Sequence, residues 1–152
     1  MERISICLQV PKYLKKVLLV KFGEKYQAKE NHWFGILVIN ILQRKSDSKY
    51  HFRKENNDEC FCFTISYEKA RKKGFSISEN KMKSIVRSID RNFREEMYYH
   101  AVLNHINYSI DYKISIENFL DSYDITEDEL PYETLRKDFN RNKTQIIKKI
   151  SG

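Results

Sequence analysis

Seven apolar residues, Met82, Ile85, Val86, Ile89, Phe93, Met97 and Ala101, recur at helical spacing and fall on one side of about six turns. An apolar stripe of that length has to be buried against other elements, so one long amphipathic helix becomes the fixed point of the fold. Its start is marked by Ser76-Ile-Ser-Glu79, which has capping-box spacing and sets the first residue near Ser76 or Ser78. The opposite side carries Lys83, Arg87, Arg91 and Arg94 with Glu95. A charged helix face is ordinarily solvated, and this one is also a secondary basic face for a polyanion.

Upstream of the long helix the period changes from helical to alternating. Ile4, Ile6, Leu8 and Val10 lie on one side of a strand and Arg3, Ser5, Cys7 and Gln9 on the other. Pro11 suits the first position of a helix with Tyr13, Leu14, Val17, Leu18 and Phe22 inward and Gly23 as its stop. Asn31 is placed to cap a second helix from His32 to about Arg44, apolar nearly all round and expected to be buried with Trp33 in the core. Tyr50 and Phe52 alternate on one side of Glu55-Asn-Asn-Asp58, and Phe61, Phe63 and Ile65 on the other. That pattern predicts a β-hairpin with a polar tip. Phe63 to Gly74 echoes Ile4 to Gly23, which predicts two similar strand-to-helix turns around one sheet. The fold class is therefore α+β: a small antiparallel sheet packed by helices, with a core domain over residues 1–105 and a C-terminal helical unit over 106–152.

That last unit divides by charge. Residues 117–133 hold seven acids (Glu117, Asp121, Asp124, Glu127, Asp128, Glu129, Glu133) and no base, whereas residues 134–152 hold six bases and one acid, Asp138. The run Ile106–Ile114 fits both a strand and a helical face, and a loop leading into a helix over 113–123 is adopted. Pro131 then opens a second helix to about Ile147, with Leu135, Phe139, Ile146 and Ile150 as its buried stripe. Two short helices joined by a turn, the second cationic, give a helix-turn-helix outline. On that reading Lys137, Asn140, Arg141 and Thr144 reach bases, while Arg136, Lys143 and Lys148 meet phosphates. The acids in the turn would repel a phosphate backbone if they faced it. The same pattern also suits a solvated face, or a basic helix tied to the acidic segment of this or a neighbouring copy.

Composition narrows the classes further. The chain has 152 residues, 41% of them hydrophobic and 13% aromatic, which is enough to build a core, and a net charge of +7 that favours a polyanion partner, usually nucleic acid. Lys12, Lys15 and Lys16 interrupt the first apolar stretch, so no signal peptide is expected, and the longest apolar run, Trp33–Ile39, is too short to cross a bilayer. Three cysteines make no disulfide framework. Buried thiols in a reducing, cytoplasmic setting are expected, with a virion as the other location.

Residues Ile116-Glu-Asn-Phe-Leu-Asp-Ser-Tyr123-Asp-Ile125-Thr-Glu-Asp-Glu-Leu130-Pro-Tyr-Glu-Thr-Leu135-Arg-Lys-Asp-Phe139-Asn-Arg141, together with Val10-Pro11-Lys-Tyr-Leu-Lys-Lys16, resemble parts of small uncharacterised proteins of phages and mobile elements. The resemblance implies a DNA-binding or accessory protein and transfers no functional residue.

Catalytic signatures are thin. Glu79-Asn-Lys81 and Asp111-Tyr-Lys113 have the acid-x-Lys spacing of some metal-dependent nucleases, without a partner acid on a strand. Cys60 and Cys62 share a strand face with His51 across the expected hairpin, but the Cys-x2-Cys spacing of zinc sites is missing. His100 and His105 are five apart, off a common helical face. Four glycines cannot form a phosphate loop. The expectation is a non-enzymatic protein without a metal or cofactor, binding duplex DNA and forming a small homo-oligomer. The alternative is a structural, virion-type protein that self-associates through acidic residues 117–133 and basic residues 134–149.

Overall fold

The computed structural model describes residues 2–44 and 58–152. In chain order the elements are β1 (Arg3–Pro11), α1 (Lys12–Phe22), α2 (Trp33–Asn40), β2 (Asp58–Ser66), α3 (Tyr67–Lys73), α4 (Glu79–Tyr108), α5 (Tyr112–Ser122) and α6 (Tyr132–Ser151). The α+β class holds: β1 and β2 form a two-stranded antiparallel sheet, and the described remainder is mostly helical. The chain divides into two compact units, 1–89 and 90–152, and α4 runs through the division.

In the first unit, β1 and β2 pair from Arg3↔Ser66 to Pro11↔Asp58. Side chains alternate across the pleat, so Ile6, Leu8 and Val10 share the inner face with Phe61, Phe63 and Ile65, and all six are buried. Leu14, Val17 and Leu18 of α1 and Phe34, Val38 and Ile39 of α2 are buried in the same unit. Phe34 is the hub, with ring centroids 4.6 Å from Phe22, 6.2 Å from Phe61 and 6.3 Å from Phe63. Gly35 follows it because a Cβ there would collide with the Lys29 carbonyl oxygen. The expected partner of β2 was a limb over Tyr50 and Phe52. Those residues lie outside the described ones, and β2 pairs with β1.

Both strand-to-helix turns close alike. α1 ends at Gly23 (φ +78°) and α3 at Gly74 (φ +125°), each donating its N–H to the carbonyl four residues back. Pro11 ends β1 and precedes α1, one position earlier than its expected place inside the helix. The cap of α2 is His32, whose Nδ1 accepts the Phe34 N–H at 3.3 Å, in place of the expected Asn31, and α2 ends at Asn40, well before Arg44. Its apolar run is not wholly inside: Trp33 and Ile36 are each 43% exposed, because an eight-residue helix packed on one side leaves its far side in water. Ser78, not Ser76, caps α4, its Oγ accepting the Lys81 N–H at 3.3 Å, while Ser76 Oγ donates to the Gln43 carbonyl at 3.1 Å.

The cysteines depart furthest from expectation. Cys7 and Cys62 face each other in register and form a disulfide, and Cys60 is a free thiol. All three are exposed on the outer face of the sheet, because odd positions of β1 and even positions of β2 point away from the core. The expectation of buried, reduced thiols is corrected on both counts. A disulfide is also at odds with a steadily reducing compartment.

The bridge closes a loop across 55 residues of sequence. Removing it by Cys7→Ser with Cys62→Ser should lower unfolding free energy by about 2–4 kcal/mol, through the entropy regained by the open denatured chain. Denaturant melts of the two proteins measure it. Coincident midpoints would show that the clasp contributes nothing.

Candidate nucleic-acid interface

The second unit is built from the end of α4, α5 and α6. Its core is Phe93, Met97, Tyr98, Ala101 and Val102 of α4, Ile116 and Leu120 of α5, Ile125 and Leu130 of the connection, and Leu135, Phe139 and Ile146 of α6. Tyr98 and Phe139 approach to 5.3 Å, Tyr112 and Phe139 to 5.1 Å, and Phe93 and Phe119 to 5.6 Å. α4 continues through Ile106 to Tyr108, so the segment taken as a loop begins only at Ser109. Ser109 adopts a left-handed conformation (φ 54°) there, and Asp111 caps α5 by accepting the Lys113 N–H at 3.1 Å. Asp111 and Lys113, one of the two acid-x-Lys triplets, thus serve a helix start. In the other, Glu79 pairs with Lys83 at 3.1 Å.

The nine residues between α5 and α6, 123–131, exceed the three or four of a tight helix-turn-helix turn. They are closely bonded all the same. Asp124 takes the left-handed position (φ 56°) where glycine is usual. Its N–H donates to the Asp121 carbonyl, and the Ile125 N–H to the Leu120 carbonyl, the paired bonds of a Schellman close. Ile125 and Leu120 are both buried, supplying its apolar contact.

Glu127 then reaches forward: the Tyr132 N–H donates to its two carboxylate oxygens at 3.1 and 3.2 Å. Pro131 stands at the cap position of α6 and offers no side-chain acceptor, so Glu127 does the capping, with its charge at the positive end of the helix dipole. Glu133 takes up Arg136, whose Nε donates to it at 2.8 Å. That hydrogen bond, with the Arg136 charge, holds the Glu133 carboxyl below the usual carboxylate range.

Asp138, the one acid in the basic segment, points inward. It accepts the Tyr98 hydroxyl at 2.6 Å and lies 3.8 Å from the Arg94 guanidinium, and its carbonyl accepts the Asn142 amide at 2.9 Å. Arg94 also donates through Nε to Asp90 at 3.0 Å. Arg94 therefore leaves the secondary basic face on which it was placed: its side chain is 20% exposed and is drawn into this network. Arg87 and Arg91 are exposed, and Lys83 is committed to Glu79. Burial first, then the Asp138 hydrogen bond and charge, push the Tyr98 hydroxyl well above its ordinary pKa, against the Arg94 charge.

With Leu135, Phe139 and Ile146 inward, the helical period turns Lys137, Asn140, Arg141, Thr144 and Lys148 to solvent, and all five are exposed. Among the described residues Lys137, Arg141 and Lys148 form no salt bridge. The other two candidates differ. Arg136 is exposed but held by Glu133, and Lys143 is half-buried with Nζ 4.4 Å from the Tyr112 ring centroid, a cation–π contact that draws it from the outer ridge. Among the described residues no cluster of three His, Cys, Asp or Glu is arranged to hold a metal, and His51 lies outside them. No described helix is long and apolar enough to cross a membrane.

Two outcomes follow. Tyr98→Phe should destabilise the unit by about 1–2 kcal/mol at neutral pH, the value of a hydrogen bond to a carboxylate that water can partly rehydrate. It should also flatten the alkaline limb of the stability profile. The folded Tyr98 pKa lies above the unfolded one, so its contribution is complete below about pH 10 and is lost as pH rises past it. Thermal melts of both proteins from pH 8 to pH 11 test this. An identical slope would show that Tyr98 titrates normally. Glu127→Ala, which uncaps α6, should cost about 0.5–1 kcal/mol in the same assay.

No protein-family model matches this chain, and no curated protein and no solved structure is significantly similar to it.

Proposed function

We propose that this chain is a non-enzymatic DNA-binding protein that lays α6 against duplex DNA. The observation that carries the reading is the outward ridge Lys137–Arg141–Thr144–Lys148, with Asn140 beside it. Among the described residues its cations form no salt bridge, whereas the acids nearest it in sequence are engaged within the chain. Glu127 caps the helix, Glu133 holds Arg136 and Asp138 faces inward. The acidic turn was the main objection to a phosphate partner: Glu127 in it is taken up by the helix cap, while Asp124 and Asp128 stay exposed. Lys and Arg on such a ridge suit phosphate oxygens, while Arg141 and Asn140 have the paired donors and acceptors that suit base edges. Lys143 and Arg136 serve as flanking cations that would have to leave Tyr112 and Glu133. The resemblance of Ile116–Arg141 to proteins of phages and mobile elements adds a setting: regulation or organisation of mobile-element DNA by a small homo-oligomer.

A second reading has one observation in its favour. Asp121 and Asp128 remain exposed, and Asp124 with them. An acidic edge on one copy and a cationic ridge on another would give a head-to-tail contact of the kind that builds rings or filaments. Sizing the purified protein separates the two: assembly without nucleic acid that dissolves in high salt belongs to the structural role.

With Lys137, Arg141 and Lys148 on phosphates, log K should fall with log salt at a slope near −3, since each neutralised phosphate contributes about −0.9. Duplex affinity measured by fluorescence anisotropy should then drop about forty-fold between about 50 and 200 mM salt. Lys137→Glu with Arg141→Glu should abolish it, while helical content is unchanged. Undiminished binding by the double variant would overturn the assignment of α6.

A further inference from the structure

All three cysteines of the chain lie on the outer face of the two-stranded sheet. Cysteine behaves as a small hydrophobe and is among the most buried residue types, so core packing does not explain three of them on a wet face. Two residues beyond Cys62 on that face stands Thr64, about 7 Å away by the rise of a strand. There the surface opens into a cavity of about 490 Å³ lined by Arg3, Gln27, Lys29, Thr64, Ser66 and Lys69, among others. Glu30 also lines it, 3.7 Å from Lys69, while Arg3 and Lys29 form no salt bridge among the described residues. The cleft is thus net positive and beside an accessible disulfide.

We propose that this face is a thiol–disulfide exchange site for small anionic thiols. The cleft takes the carboxylate end of the incoming molecule, and the Cys7–Cys62 bond is what it exchanges with. The thiolate R–S⁻ attacks Cys62 Sγ, forming R–S–S–Cys62 and releasing Cys7 as a thiolate that takes a proton. A second R–S⁻ attacks the R-side sulfur, so R–S–S–R leaves and Cys62 becomes a thiol. Two small thiols are oxidised, one disulfide is reduced, and no other oxidant or reductant is required. Cys60 stands two residues from Cys62 on the same strand face, about 7 Å away by the rise of a strand and at the limit of a disulfide's span, so the second small thiol is written as the resolving group. The reaction opens the only covalent clasp between β1 and β2, so the redox state of the surrounding thiols would set the stability of the first unit.

The test uses the full chain with Cys60→Ser, in its oxidised form. It is exposed to anionic glutathione or to cationic cysteamine, quenched with an alkylating agent and read by mass. Each rate is normalised to the same reagent acting on an unstructured disulfide peptide, and global unfolding is timed separately. Reduction should outrun unfolding, with glutathione favoured over cysteamine by about ten-fold, the low end of electrostatic steering. That preference should vanish in Arg3→Ala with Lys29→Ala and in about 1 M salt, where charges are screened beyond about 3 Å. Reduction no faster than unfolding would overturn the exchange site. An unchanged preference in the Arg3/Lys29 variant would overturn the role of the cleft.

Discussion

Asp138 decides which side of α6 meets water. A carboxylate on a helix otherwise rich in bases would, if exposed, sit among Lys137 and Arg141 and cancel part of their charge. It is instead held half-buried by the Tyr98 hydroxyl, the Arg94 guanidinium and the Asn142 side chain. A charge withdrawn from water is retained only when hydrogen bonds and a counter-charge replace its hydration, and this network supplies both. Because Tyr98 is itself 2% exposed and comes from α4, the bond fixes the rotation of α6 against α4 within the second unit. Leu135, Phe139 and Ile146 follow into the core, and the cationic ridge faces outward as a consequence.

The same economy of charge governs the acidic segment. In sequence it is a block of seven acids beside a block of six bases, which suggests either mutual neutralisation or a repulsive turn. Folding distributes the acids among local tasks: Glu117 lies 3.8 Å from Lys113, Asp124 occupies the left-handed position after α5, and Glu127 caps α6. Each is a short-range arrangement within five residues of its partner. The block therefore builds the connection that positions α6, and the adjoining bases are left to face solvent.

Short-range patterns were legible in the sequence, and long-range pairings were not. The stripe Met82–Ala101 and the stripe Leu135–Phe139–Ile146 followed from the helical period, and the inner and outer faces of β1 and β2 from alternation. The candidate ridge was legible for the same reason, since fixing the buried face fixes the opposite one. What failed depended on residues far apart in the chain. β2 pairs with β1, so Cys7 meets Cys62, a pairing no local pattern contains. Arg94 was placed outward by its helix and is turned by Asp138, 44 positions away. Lys143 was drawn off the ridge by Tyr112. The Asn31 cap failed more narrowly: His32 has a ring nitrogen able to accept, one residue closer to the helix.

A solvated charged face is the plain explanation for any cationic helix, and the other helices of this chain show what such a face looks like. Lys83 pairs with Glu79 on α4, and Lys113 with Glu117 on α5, each one turn apart. Such pairs stabilise a helix by about 0.2–0.5 kcal/mol, and like charges at the same spacing destabilise it by a similar amount. On α6 the pattern is absent beyond Arg136. Lys137 and Arg141 are like charges one turn apart, and Glu133, one turn before Lys137, is hydrogen-bonded to Arg136. The helix dipole accounts for Lys148 and Lys149 in the last turn, where cations are favoured. It does not account for Lys137 and Arg141, which stand in the first half. Stability alone would favour an acid at one of those positions.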